Sequence, residues 1–201
     1  MEEVAGDNPE EVTYQIYLAQ CYYETGRMEE CRRVVRGVLD QGGDRPAARV
    51  LEGDLLLAEG RMEEGLASLL AVEQSDKPAQ GIRYFVGRVY LNMKRWEDAE
   101  RAFRVLLTWD ADSPQAWSGL AEALLAQDKF EEAAEAAADA LALRFDMPEA
   151  HMTLGTALIK LDRYDRATQA FEACLALRPG MPAASQWLAQ LQETRACAGV
   201  G

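Results

Sequence analysis

The groups with the most chemical potential in this 201-residue chain are one histidine, four cysteines and a spaced set of charges. His151 has no serine, cysteine or second acid at a spacing that would key a nucleophile to it. Cys21, Cys31, Cys174 and Cys197 form no CxxC pair, and a single histidine cannot complete a Cys/His zinc site. Neither a catalytic residue, a metal nor a cofactor is therefore expected. Cys21, Cys31 and Cys174 fall where the surrounding pattern asks for small apolar residues. They read as buried free thiols, which suits a reducing compartment. Asp54, Arg88 and Glu122 are more suggestive, because they recur thirty-four residues apart. An arginine so placed can orient a ligand carboxylate or bridge the two acids.

That interval is the period of the whole chain. With position 1 at Val12, Pro46, Gln80, Pro114 and Pro148, position 8 is Ala19, Gly53, Gly87, Ala121 and Gly155. Position 20 is Cys31, Gly65, Ala99, Ala133 and Ala167. Larger apolar residues occupy position 24 in four copies: Val35, Leu69, Phe103 and Phe171. Small residues let two antiparallel helices approach to about 8–10 Å, and the large ones fill the flanks. Each period thus predicts a helix, a tight turn and a second helix. Asn8-Pro9-Glu10-Glu11 and Ser113-Pro114 read as helix starts. The turn puts Gly26 and Gly60 at position 15, a site that favours positive φ. Lys94, Asp128 and Asp162 stand there later, so those copies either strain slightly or turn differently. The link at 41–45 reads as the softest joint.

The pattern resembles the tetratricopeptide repeat, with a period of about 34 residues and a W-x2-L-G-x2-Y, A-x3-F, Pro signature. Residues 148–181 carry Leu154, Gly155, Ala167, Phe171 and Pro179. The preceding copy carries Trp117, Leu120, Ala121, Phe130 and Ala133. The resemblance implies an all-α, right-handed α-α superhelical solenoid. Its five helix pairs are 12–45, 46–79, 80–113, 114–147 and 148–181. An acidic lead-in (1–11) precedes them; a capping helix (182–196) and a disordered tail (197–201) follow. In the cap, Trp187, Leu188 and Leu191 should pack on the fifth repeat.

In this family the first helices line a concave groove. Carried onto this chain, the groove residues are Ile16, Gln20, Tyr23, Val50, Asp54, Leu57, Tyr84, Phe85, Arg88, Leu91, Glu122, Leu125, Met152 and Ile159. Position 12 (Tyr23, Leu57, Leu91, Leu125, Ile159) gives an apolar stripe that lines the groove, packs on a neighbouring repeat, or buries a second copy. Some members clamp a peptide's terminal carboxylate. The corresponding residues here are Ile16, Gln20, Leu51, Gly81 and Phe85, or Val50, Asp54, Phe85, Gln115 and Gly119. Neither set is a cationic clamp. Chaperone C-terminal tails are therefore not expected ligands. Glu52 breaks an apolar row and should pair with Arg49 or Arg83, unless that helix is rotated.

Net charge is −13, which disfavours nucleic acid and anionic membrane and favours basic partners. The cationic row at position 16 (Arg27, Arg61, Arg95, Lys129, Arg163) is followed by acids in most copies, so it reads as a self-neutralised edge. No apolar run reaches the length of a transmembrane helix, and 1–11 lacks the order of a signal peptide. The expectation is a cytoplasmic, non-catalytic scaffold for a protein or peptide partner. Two alternatives stand beside it. The chain self-associates, as a homodimer for example. Or it is an excised regulatory or docking segment of a larger bacterial enzyme, since 144–151 resembles repeat tails of phosphatase/phosphodiesterase-superfamily proteins.

Overall fold

Helix-forming repeats with short turns leave each helix a single apolar stripe, which only a neighbouring helix can cover. The computed structural model describes residues 9–42, 45–73 and 81–198, with the side chains of Pro9 and of 194–198 excepted. The Asn8 cap, residues 43–44 of the soft joint, and Cys197 and the rest of the 197–201 tail lie outside the described residues or side chains. Eleven helices occur among the described residues, and no strand. They are α1 (Pro9–Glu24), α2 (Met28–Asp40), α3 (Pro46–Ala58), α4 (Met62–Glu73), α5 (Ile82–Asn92), α6 (Trp96–Trp109), α7 (Pro114–Leu125), α8 (Phe130–Leu143), α9 (Pro148–Lys160), α10 (Tyr164–Leu177) and α11 (Pro182–Ala198). Consecutive helices pair within each unit, the all-α helix-pair architecture that the repeat pattern predicts. None of these helices is long and apolar enough to cross a membrane.

The chain divides into two compact units, one ending at Val89 and the other starting at Tyr90. In the first, α1 packs on α2, α3 on α4, and α3 also lies against α1 and α2. Its interior holds Cys31, Val35, Val38, Leu51, Leu55 and Leu69. The glycines at positions 8 and 20 make the α3–α4 approach possible. A Cβ on Gly53 would sit 2.8 Å from Leu69 Cδ2, and one on Gly65 2.9 Å from Leu57 Cδ2.

In the second unit the same device accommodates phenylalanine. Phe103 is fully buried over Gly119, and Phe171 over Gly155. Helix α11 closes the end of this unit. Ala184 and Leu191 are buried with Phe171, Trp187 and Leu188 pack on the same cluster, and the Trp187 ring stacks on Phe171 at 6.1 Å. Glu100 of α6 is an ionic hub. It accepts from Lys129 Nζ (2.8 Å), Arg104 Nε (2.8 Å) and Gln127 Nε2 (2.9 Å). These donors outweigh the burial that opposes them and hold its carboxyl down near 2.

All five intra-repeat turns share one geometry. The residue after position 15 donates its N–H back across the turn: Arg27 to Tyr22, Arg61 to Leu56, Arg95 to Tyr90, Lys129 to Leu124 and Arg163 to Leu158, each at 2.8–3.0 Å. That closure places position 15 in the left-handed region whatever residue occupies it. Gly26 and Gly60 have φ of 74° and 78°; Lys94, Asp128 and Asp162 have 57–58°. The later copies do not turn differently; they carry the strain. Lysine has no local hydrogen bond to offset it, whereas aspartate tolerates this region better. Lys94→Gly is therefore expected to stabilise the second unit by about 0.5–1 kcal/mol, and Asp128→Gly by less. Urea denaturation of both variants checks this, and equal effects would refute the side-chain argument.

Candidate functional site

The first helices of the first unit, α1, α3 and α5 as far as Val89, carry nine of the residues singled out from the sequence. Ile16, Tyr23, Val50, Asp54, Leu57 and Tyr84 are half-buried; Gln20, Phe85 and Arg88 are exposed. The helical register explains this mixture. Positions 5, 9 and 12 share one side of the first helix, at the edge of the stripe that faces the second helix.

Position 12 faces inward more than the repeat pattern alone required. Leu57 fills the space above Gly65, and Tyr23 and Ile16 pack on the Cys31–Leu51–Leu55 cluster. In the second unit Leu91 is only 4% exposed, and Ile159 packs against Leu158 and Phe171. Leu125 and Met152 are half-buried, and Glu122 is exposed. Of the three readings of the apolar stripe, interior packing accounts for most of Leu57, Leu91 and Ile159.

Asp54 stands apart from its neighbours. It is half-buried, and no described residue gives it a hydrogen bond or an ion pair. The bridge from Arg88 to Asp54 is absent. Burial pushes the Asp54 carboxyl up to about 6, with no cation to offset it. Burial raises the Tyr23 hydroxyl as well, and the Asp54 charge adds to the shift. Unit 1 therefore presents a poorly solvated carboxylate beside a tyrosine, with Phe85 43% exposed on the same run of first helices.

Glu52 and His151 have partners of their own. Glu52 accepts from Ser68 Oγ at 2.8 Å, in place of an ion pair with Arg49 or Arg83; Arg83 Nε lies 2.9 Å from Glu73 Oε1. The hydroxyl comes from the facing helix α4. His151 is 4% exposed, its Nε2 is 3.0 Å from the Phe145 carbonyl oxygen, and burial lowers its pKa. Its role is packing, edge-on to Phe145 at 4.8 Å. Cys31 and Cys174 are buried, but Cys21 is exposed, contrary to the sequence pattern. Position 10 lies on the solvent side of α1. Among the described residues no three His, Cys, Asp or Glu side chains converge as a metal site.

The position-16 cations are neutralised in four copies. Arg27 meets Glu30 at 2.7 Å, Arg61 meets Glu64 at 2.5 Å, Arg95 meets Asp98 at 2.6 Å, and Lys129 meets Glu100 at 2.8 Å. The acid stands at position 19 in the first three, whereas Lys129 takes Glu100 of the preceding repeat; the fifth copy departs from both, with Arg166 at position 19. Neither Arg163 nor Arg166 has a carboxylate partner among the described residues. The sequence carried this signal: an acid or its equivalent at position 19 in four copies, and arginine in the last.

Comparison with known proteins agrees with this geometry. Sequence models described as tetratricopeptide repeat match residues 56–123, 114–143 and 148–181. No curated protein matches the chain. Among solved structures, MamA (41-end) from Desulfovibrio magneticus RS-1 superposes with a TM-score of 0.74 at 18% identity, covering 85% of this chain and 96% of that one. YrrB, described as a TPR protein with an unusual peptide-binding site, gives 0.71 at 13% identity, covering 92% and 97%. The first TPR of Spaghetti (RPAP3) bound to an HSP90 peptide gives 0.56 at 22% identity, covering 57% and 91%. Identities this low establish a shared fold.

Proposed function

This chain belongs to the tetratricopeptide repeat family, and from that premise we propose that it is a non-catalytic interaction module whose first unit binds a peptide along α1, α3 and α5. The observation that carries this reading is Asp54. A half-buried carboxylate with no internal partner costs stability, and a ligand cation would satisfy it. The preferred peptide carries a lysine or arginine for Asp54 and an apolar side chain for the exposed Phe85 ring. Net charge of −13 draws such a peptide in. A peptide's terminal carboxylate finds no welcome here, since Ile16, Gln20, Leu51, Gly81 and Phe85 supply no cation. The likeness to a structure bound to an HSP90 peptide thus extends to the fold and not to that ligand.

A peptide array that varies charge and apolar content independently tests the proposal. The intact chain should select sequences with a cation beside an aromatic or aliphatic residue. Asp54→Asn should lose the cation preference by about tenfold, and Phe85→Ser the apolar one. An unchanged selection profile in both variants would sink the proposal.

A further inference from the structure

The second unit has a cleft on the opposite kind of surface, between the second helices α8 and α10. It is a cavity of about 440 Å3. Leu154 and Leu158 of α9 form its floor, and Ala138 and Ala170 its walls. Phe145, 65% exposed, stands at one rim and Arg166 at the other. The cleft exists because small residues face each other across the two helices, leaving Leu154 only half-buried above Leu158, which is itself fully buried. An adjoining cavity of about 250 Å3 shares Ala138, Leu154, Leu158 and Arg166 and continues to Arg163. Glu131 and Glu135 of α8 line that second part, but neither pairs with an arginine there. The charge is therefore divided, with cations on the α10 side and acids on the α8 side. An occupant must set an apolar group on the floor and a carboxylate against α10.

One exposed segment of this same chain has that chemistry. Trp109, at the end of α6, is 75% exposed, and Asp110 and Asp112 beside it are exposed as well. The segment is held in shape, because the Trp117 indole N–H donates to the Ala111 carbonyl at 2.8 Å. Preorganisation of this kind reduces the entropy lost on docking. We propose that the α8–α10 cleft binds Trp109 of a second copy, with that copy's Asp110 and Asp112 meeting Arg163 and Arg166. The indole covers the half-buried Leu154, and the two arginines acquire carboxylates, which the position-16 cations of the other four repeats already have. Donor and acceptor are different patches, so the contact is head-to-tail. A contact of one loop in one cleft is small, which sets the expected dissociation constant on the order of 10–100 μM. The inference is independent of the peptide reading of the first unit.

Sedimentation of the intact chain at about 0.15 M salt, where exposed charges further apart than about 8 Å are screened, tests it. Mass should climb with concentration through the 10–100 μM range. Trp109→Ser and the double variant Arg163→Glu, Arg166→Glu should each weaken association at least about thirtyfold while keeping the helical circular dichroism of the intact chain. Mixing those two variants is decisive. One retains the cleft and the other the tryptophan, so together they should form a pair and grow no further. An intact chain that stays monomeric to about 1 mM overturns the proposal. So does association that survives either variant, or a mixture that fails to pair.

Discussion

Phe171→Ala is expected to lower the unfolding free energy of the second unit by about 3–5 kcal/mol. The ring is fully buried, touches the backbone of α9 at Gly155, and stacks on Trp187 of the closing helix. Its removal opens a cavity where α9, α10 and α11 meet, so no single helix can collapse into it. Gly155→Ala probes the same contact from the other side. The added methyl would lie 2.6 Å from Phe171 Cε1, and the ring has no exposed direction in which to move. That overpacking is expected to cost about 1–3 kcal/mol. Combining Gly155→Ala with Phe171→Leu should cost less than the sum of the two, because the smaller side chain makes room for the methyl. All four tryptophans lie after Val89, so tryptophan fluorescence in urea follows this unit alone. A loss below about 1 kcal/mol for Phe171→Ala would mean that α11 is held by other contacts.

These residues also mark what a repeat pattern can and cannot reveal. Gly155 and Phe171 belong to one period, and the spacing of small and large positions already implied that they meet. The turns were legible for the same reason. Position 15 is enclosed by hydrogen bonds within its own repeat, so Lys94 was forced into the conformation of Gly26. Where the partner comes from a different helix face, the pattern was silent. Sequence spacing points Glu52 to an arginine, but Ser68 reaches it from α4. Sequence does not decide between groove and interior for position 12, because the volume above Gly65 depends on how closely α3 and α4 approach. Cys21 was placed inside by its apolar character, and the register of α1 turns it outward. The α8–α10 cleft was encoded in Ala138, Ala170 and Arg166, but a cleft is a space between helices and has no signature in any one of them.

Asp54→Asn is expected to stabilise the chain at neutral pH and to weaken its proposed interaction. The folded-state pKa of Asp54 is about 6, above the value of about 3.9 in an unfolded chain. Between those two values the folded protein keeps a proton that the unfolded protein has released. Stability contributed by this group is therefore full below about pH 4, falls as pH rises through about 6, and stays low above that. The carboxylate is partly solvated, which screens its charge, and about 1–1.5 kcal/mol is the expected size of the penalty. Asparagine removes the charge with little change in shape. Variant and parent should be equally stable near pH 4, and the variant ahead by about 1 kcal/mol near pH 7.5. Hydrogen exchange of α3 amides across that range reads the first unit directly. Glu100 has the opposite sign, since its stabilisation is lost only as pH falls from about 4.5 through about 2, in the other unit. The two windows meet only between about pH 4 and 4.5, and Glu100 is common to variant and parent, so it cancels from their difference. A variant that gains stability at pH 7.5 and loses cation selectivity on the peptide array would tie both effects to one carboxylate. A gain in stability with selectivity intact would mean that Asp54 is a strained surface acid and that the peptide's cation is read elsewhere.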